Sequence, residues 1–260
     1  MKKILSLVLV LILALTMVAG CAPKAKVVVA EKESAGEAVA QELEGYEYTA
    51  VDTQAKAIME VSSGTADAAI VDYVMSIGSI GEGTDYENLV VSGDGYSPEN
   101  YGIAFRKGSD VTAKVNEAIK TLKDNGELEK IAKTYKLDEL ISADAEFEAF
   151  KQAEKDSDWE YIQNKGELVI GFTYFAPMNY ENEDGEFVGF ETEFAKAVCK
   201  ELGVNAKFQE ISWDAKETEL AAKNIDCIWN GMTITEERAE AMSITIPYMA
   251  NKQVMVTKEK

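Results

Sequence analysis

The chain has 260 residues, 47% of them apolar, with 46 acidic and 26 basic side chains and no histidine, for a net charge of −20. That length and apolar content suit one large or two medium domains with real cores rather than a disordered chain. The acidity argues against nucleic acid or an anionic membrane surface as partner, and the missing histidine removes the commonest general base and metal ligand.

Residues 1–20 read as a targeting segment rather than part of the fold. Lys2 and Lys3 form a charged start, Ile4 to Met17 is almost wholly apolar, and Val18, Ala19 and Gly20 are small residues before Cys21. The run from Leu15 to Cys21 resembles a bacterial lipobox, which implies cleavage before Cys21 and lipidation of its thiol. An uncleaved single-span anchor is the plainer alternative; both place the body of the protein outside the cytoplasm. The remaining cysteines, Cys199 and Cys227, sit in apolar runs and read as buried small hydrophobes rather than a disulfide framework.

Beyond the leader, apolar strands alternate with helical patterns. Strands are expected at Val27–Ala30, Tyr48–Val51, Ala68–Val71, Leu89–Val91 and Ile103–Phe105. Helical spacing covers Ser34–Leu43 and Gln54–Val61, then Val111–Tyr135 as two helices broken near Asn125-Gly126. Further strands are expected at Leu168–Gly171, Lys207–Ile211, Ile225–Trp229 and Gln253–Val256, with helices at Glu191–Leu202 and Trp213–Lys223. Such alternation predicts an α/β architecture of two mainly parallel sheets covered on both faces. Residues 137–165 are rich in charge and alanine, and predict one or two amphipathic helices lying on the surface as a connector.

A weak internal echo supports two lobes. Glu60 to Asp72 and Glu219 to Asn230 each run from a helix end through a turn to an aspartate, then an apolar strand ending in a polar residue.

Two blocks carry a family resemblance. One runs from Gly166 to Tyr180, through Gly189–Val198, to Asn230-Gly-Met-Thr-Ile-Thr-Glu-Glu-Arg238 and Pro247-Tyr248. The other comprises Gly64 to Asp72, Asn100 to Gly108 and Val115 to Gly126. Together they resemble the polar amino-acid-binding family of ABC-transporter periplasmic binding proteins. In that family the block beginning at Gly166 opens the mature chain, so the order here resembles a circular permutant.

The resemblance implies a two-lobed, type II periplasmic-binding-protein-like α/β fold, circularly permuted, with two hinge strands near 97–101 and 248–252. One lobe would be 102–248, including the 137–165 connector that joins the old termini; the other would be 27–97 plus 253–260. It implies a lipid-anchored monomer outside the cytoplasm that captures a free amino acid by hinge closure and docks on ABC permease subunits, with no cofactor, metal or catalytic residue.

A free amino acid needs an anion receptor, a cation receptor and a side-chain selector. Arg238 suits the carboxylate because its planar guanidinium makes a bidentate pair, and it matches the family's arginine; in Glu-Glu-Arg a surface helix position is the plain alternative. Asp72 ends an apolar strand, where a carboxylate needs a partner or a cleft; by resemblance it takes the ammonium. Resemblance also assigns the Gly231 carbonyl to the ammonium, Thr233 to backbone and hydroxyl contacts, and Ser34 and Ala35 to the carboxylate from the opposite lobe. Ser34 and Thr233 also read as helix caps. Phe175 and Trp213 match stacking positions, with Phe172 and Asn230 as selectors. Phe172 and the Glu31-Lys32-Glu33 stretch depart from the family pattern. Glu31 there either attracts a cationic side chain or is solvated. The alternatives on the same scaffold are a cyclohexadienyl dehydratase-like lyase and a ligand-sensing domain for a membrane receptor.

Overall fold

A computed structural model describes residues 25–96, 98–142 and 158–259. The leader at 1–20, the lipidation at Cys21 and residues 143–157 of the connector lie outside the described residues.

Thirteen strands order the described residues: β1 (Lys26–Glu31), β2 (Tyr46–Val51), β3 (Ala68–Asp72), β4 (Leu89–Ser92), β5 (Pro98–Tyr101), β6 (Ala104–Phe105), β7 (Glu167–Phe172), β8 (Tyr180–Glu181), β9 (Phe187–Val188), β10 (Asn205–Glu210), β11 (Cys227–Ile228), β12 (Ser243–Ile244) and β13 (Met249–Lys258). They form a first sheet in the order β2-β1-β3-β13-β4, with β5 also paired to β13, and a second in the order β10-β7-β11-β6-β12. Strands β8 and β9 make a small hairpin.

Each sheet is built on the same βαβαβ unit. In the first, β1, helix Ala35–Gln41, β2, helix Gln54–Ser63 and β3 follow one another; in the second, β7, helix Phe190–Leu202, β10, helix Lys216–Ala221 and β11 do. Both units place their first strand centrally and in parallel with the other two. The echo has a geometric basis. Asp67 accepts a hydrogen bond from the Val27 N–H at 2.8 Å, and Asp226 accepts one from the Val169 N–H at 2.8 Å. The backbone N–H of each aspartate donates in return to the carbonyl of the same partner, at 2.9 and 2.7 Å. An aspartate opening the third strand thereby ties it to the first and fixes their register.

The sheets are mixed rather than mainly parallel. β13 runs antiparallel to β3, β4 and β5, and β6 runs antiparallel to β11 and β12. A parallel neighbour needs a crossover helix, whereas β6 and β13 enter straight from the opposite sheet. The two crossing segments pair with each other, Met249 facing Tyr101 and Lys252 facing Pro98.

Local signals set the helix ends. The Thr53 hydroxyl caps helix Gln54–Ser63 by accepting from the Lys56 N–H at 3.1 Å, and Gly64 ends it at φ +83°. The helices around the predicted break are Val111–Asp124 and Glu127–Thr134. Helix Phe190–Leu202 buries Phe190, Phe194, Ala195 and Val198, and Phe194 meets Trp229 edge-on at 5.2 Å. Cys199 and Cys227 are free and buried in this core. The described part of the connector is not wholly superficial. Helix Asp158–Lys165 buries Ile162, and Asp158 accepts from the Arg106 Nε at 3.1 Å.

Candidate functional site

The carboxyl-terminal ends of the parallel strands in both sheets meet around one cavity. Such ends are where open α/β sheets present ligand crevices. Glu31 and Asp72 are the last residues of β1 and β3, and Ser34 and Ala35 start the helix after β1. From the second sheet come Phe175 beyond β7, Trp213 beyond β10, and Asn230, Gly231, Thr233 and Arg238 beyond β11. Ten of the eleven ligand-site residues expected from sequence therefore line one cavity.

Phe172 does not. It packs among Tyr174, Phe187 and Phe208, with ring centroids 5.6, 4.7 and 6.2 Å away. Side chains alternate along β7, and Phe172 falls on the face covered by the β8–β9 hairpin. The next residues, Thr173 and Tyr174, line the cavity instead.

Asp72 is buried and braced by neutral amides. Its Oδ1 accepts from Asn251 Nδ2 at 2.6 Å and Gln253 Nε2 at 2.7 Å, and its Oδ2 accepts from the Gln54 amide. The same two amides of β13 donate to Glu99 Oε1 at 2.5 and 2.6 Å, while the Thr233 hydroxyl donates to Glu99 Oε2 at 2.9 Å. Burial raises the Asp72 carboxyl above its ordinary value, and burial with the neighbouring Asp72 pushes Glu99 up to about 7. The crossing strands β5 and β13 thus hold two carboxyl groups between the sheets. Burial, then Asp72, pushes Glu31 up to about 8.

Asn230 is fully engaged. Its Oδ1 accepts from the Thr173 N–H at 3.1 Å and hydroxyl at 2.7 Å, and its Nδ2 donates to the Thr173 carbonyl and to Asn179 Oδ1, both at 2.9 Å. It shapes the end of β7 rather than offering a free selector. Gly231 sits at φ +60°, and a Cβ there would lie 2.5 Å from the Phe175 ring. Only glycine serves both requirements. Its N–H donates to buried Glu191 at 2.8 Å, which also accepts from the Tyr248 hydroxyl; burial holds Glu191 up to about 7.

Ser34 is both cap and cavity wall, its hydroxyl accepting from the Glu37 N–H at 3.1 Å. Thr233 is not the cap of the following helix. Thr235 caps Glu236–Ala241, and Thr233 is free for Glu99.

The cleft is shut by donors that converge on one carbonyl. Arg238 Nη2, Trp213 Nε1 and Lys216 Nζ all donate to the Glu33 carbonyl, at 3.1, 3.3 and 3.4 Å. Glu33 has φ +60°, a left-handed backbone unusual for a residue with a side chain. Arg238 Nη1 also donates to the Thr233 carbonyl at 2.9 Å, and Lys32 pairs with Asp214 at 2.9 Å on the rim.

Gln54 was not singled out in the sequence, although it lines the cavity. The repeat would have found it, because it opens the helix after β2 as Trp213 stands at the corner after β10. Among the described residues no cluster of His, Cys, Asp or Glu side chains is arranged to hold a metal ion.

Residues 168–260 match the model of the bacterial extracellular solute-binding proteins, family 3. The L-cystine-binding protein TcyJ of Escherichia coli K12 is 33% identical over 99 residues, 37% of this chain and 37% of that protein. The histidine-binding periplasmic protein of the same strain is 36% identical over 85 residues, 32% of this chain and 33% of that one. The chain thus spans between a third and two fifths of the length of these curated relatives. A histidine-bound ABC uptake transporter substrate-binding protein from Streptococcus pneumoniae is 40% identical, over 32% of this chain and 35% of that one, with a TM-score of 0.31.

Proposed function

We propose, from the match of residues 168–260 to the bacterial extracellular solute-binding proteins, family 3, that this chain captures a free polar L-amino acid between its two sheets and delivers it to the permease of an ABC importer. The observation that carries this reading is one cavity lined by both a guanidinium, Arg238, and a carboxyl group, Asp72, together with Phe175 and Trp213. A zwitterion is the smallest common ligand that needs both charges.

In this reading the two sheets are the cores of two lobes, 27–97 with 253–260 and 102–248, and β5 and β13 are the hinge. The open form lacks the contacts of Arg238, Trp213 and Lys216 with the Glu33 carbonyl, and ligand draws them together. The permease reads the closed form. The chain order is that of a circular permutant, supported by a family match that begins at residue 168, in β7, rather than in β1. Cys21 carries the lipid that holds the protein at the outer side of the membrane, and the protein acts as a monomer.

A lyase on the same scaffold is the second reading. Its support is Glu31, a buried carboxyl in the cavity that burial pushes up to about 8, so that it holds a proton at neutral pH.

Calorimetry of the chain from Cys21 onward, unfolded and refolded to strip carried ligand, against the free amino acids tests the proposal. Tight saturable binding of one or a few L-amino acids supports capture. Silence across the panel refutes it and leaves the lyase to be assayed.

A further inference from the structure

Glu31 is 4% exposed, lines the cavity, and has an oxygen, Oε1, that is buried without a hydrogen-bond partner. The neighbouring carboxylates differ. Both oxygens of Asp72 and both of Glu99 accept from amides or a hydroxyl. A buried acceptor left unmatched costs stability unless something else supplies the donor. Here the free oxygen belongs to a residue of the cavity wall.

The charges of that wall point the same way. It holds two carboxyl groups, Glu31 and Asp72, and one guanidinium, Arg238. An amino acid with an uncharged side chain brings one anion and one cation, and leaves Glu31 unmatched. An amino acid with a basic side chain brings one anion and two cations, and satisfies all three.

Resting on the capture function proposed above, we propose that Glu31 is a specificity-determining residue that receives the cationic side-chain head of a basic amino acid on its free Oε1, while Arg238 and Asp72 take the α-carboxylate and α-ammonium. In the empty cavity burial, and then Asp72, keeps Glu31 protonated near neutral pH, with Lys216 pulling the other way and Asp214 adding to the rise. Arg238 faces the same cavity. A cation seated on Glu31 favours its ionised form, so the carboxyl loses its proton to solvent as the ligand enters.

The test is calorimetry at pH 7 with L-arginine, L-lysine and L-glutamine, repeated in two buffers of different ionisation enthalpy, on the wild type and Glu31→Gln. The amide replaces a protonated carboxyl of the same shape. The wild type is expected to bind L-arginine or L-lysine at least about tenfold more tightly than L-glutamine, with a proton released on binding. Glu31→Gln should erase both the preference and the proton release. A wild type that prefers L-glutamine, or a variant that keeps the basic preference, overturns the assignment to Glu31 and leaves amino-acid capture standing. Silence of the folded wild type toward all three and toward the remaining amino acids overturns both. Preference and proton release in the wild type decide the matter even if the variant misfolds.

Discussion

Replacing Arg238 by alanine removes two hydrogen bonds from one guanidinium, to the Thr233 carbonyl at 2.9 Å and to the Glu33 carbonyl at 3.1 Å. The first lies within one loop and exists whether or not the cleft is open. The second joins the two sheets across the cavity and, on the proposed capture function, exists only when the cleft is shut. A hydrogen bond with a charged partner contributes about 1.5–3 kcal/mol, so the crossing bond alone biases closure by that order. On the proposed capture function the variant also loses the partner of the ligand carboxylate, and truncating one side of a buried ion pair brings the loss to about 2–5 kcal/mol. With tenfold in Kd for about 1.4 kcal/mol, binding of the preferred amino acid should weaken between about 30-fold and a few thousandfold. Arg238→Lys should recover part of this, since it restores charge without the two-pronged geometry. Calorimetry measures Kd, and thermal unfolding of the ligand-free proteins checks that both variants fold. An alanine variant that folds and binds within about threefold of wild type refutes the role given to Arg238.

Asp226→Ala should destabilise the protein by about 3–5 kcal/mol in guanidinium unfolding, because Lys165 Nζ at 2.6 Å would lose its buried partner and the Val169 N–H at 2.8 Å its side-chain acceptor. Gly231→Ala should cost about 1–3 kcal/mol by the same measurement, through strain at φ +60° and collision with Phe175, and should weaken binding as that ring moves. Stability of the ligand-free protein should fall as pH rises from about 4.5 to about 8. Burial raises Glu31 to about 8 and Glu99 and Glu191 to about 7 from 4.5, so the folded state holds more protons than the unfolded chain in that window. Thermal midpoints across this range check the sign, and Glu191→Gln should flatten part of the slope.

Charge and period made much of the architecture legible. Apolar runs bounded by turns gave most strands to within a few residues, and the repeated aspartate at Asp67 and Asp226 marked two equivalent units before their shared ladder geometry was visible. Asp72 stood out because a carboxylate ending an apolar strand needs a partner or a cleft, whereas Arg238 in Glu-Glu-Arg stood out only through the family resemblance. Gln54 did not, because a neutral side chain at a helix start carries no such demand. Asn251 and Gln253 escaped notice for a related reason. Polar residues at alternate strand positions read as a solvated face, whereas in β13 they are the buried face that braces Asp72 and Glu99. The direction of β6 and β13 was also hidden, since parallel and antiparallel partners share the same apolar pattern and differ in how the chain arrives.

The position of β13 has a consequence for how the protein comes to be made. It lies between β3 and β4 in its sheet, yet residues 249–258 are translated after β1 to β4 and after the whole second sheet. A nascent chain therefore carries β3 and β4 with facing rows of unpaired amides and carbonyls until β13 is released. Such rows invite pairing with other chains, and long-range closure slows folding. The sheet whose strands are translated first is the one completed last.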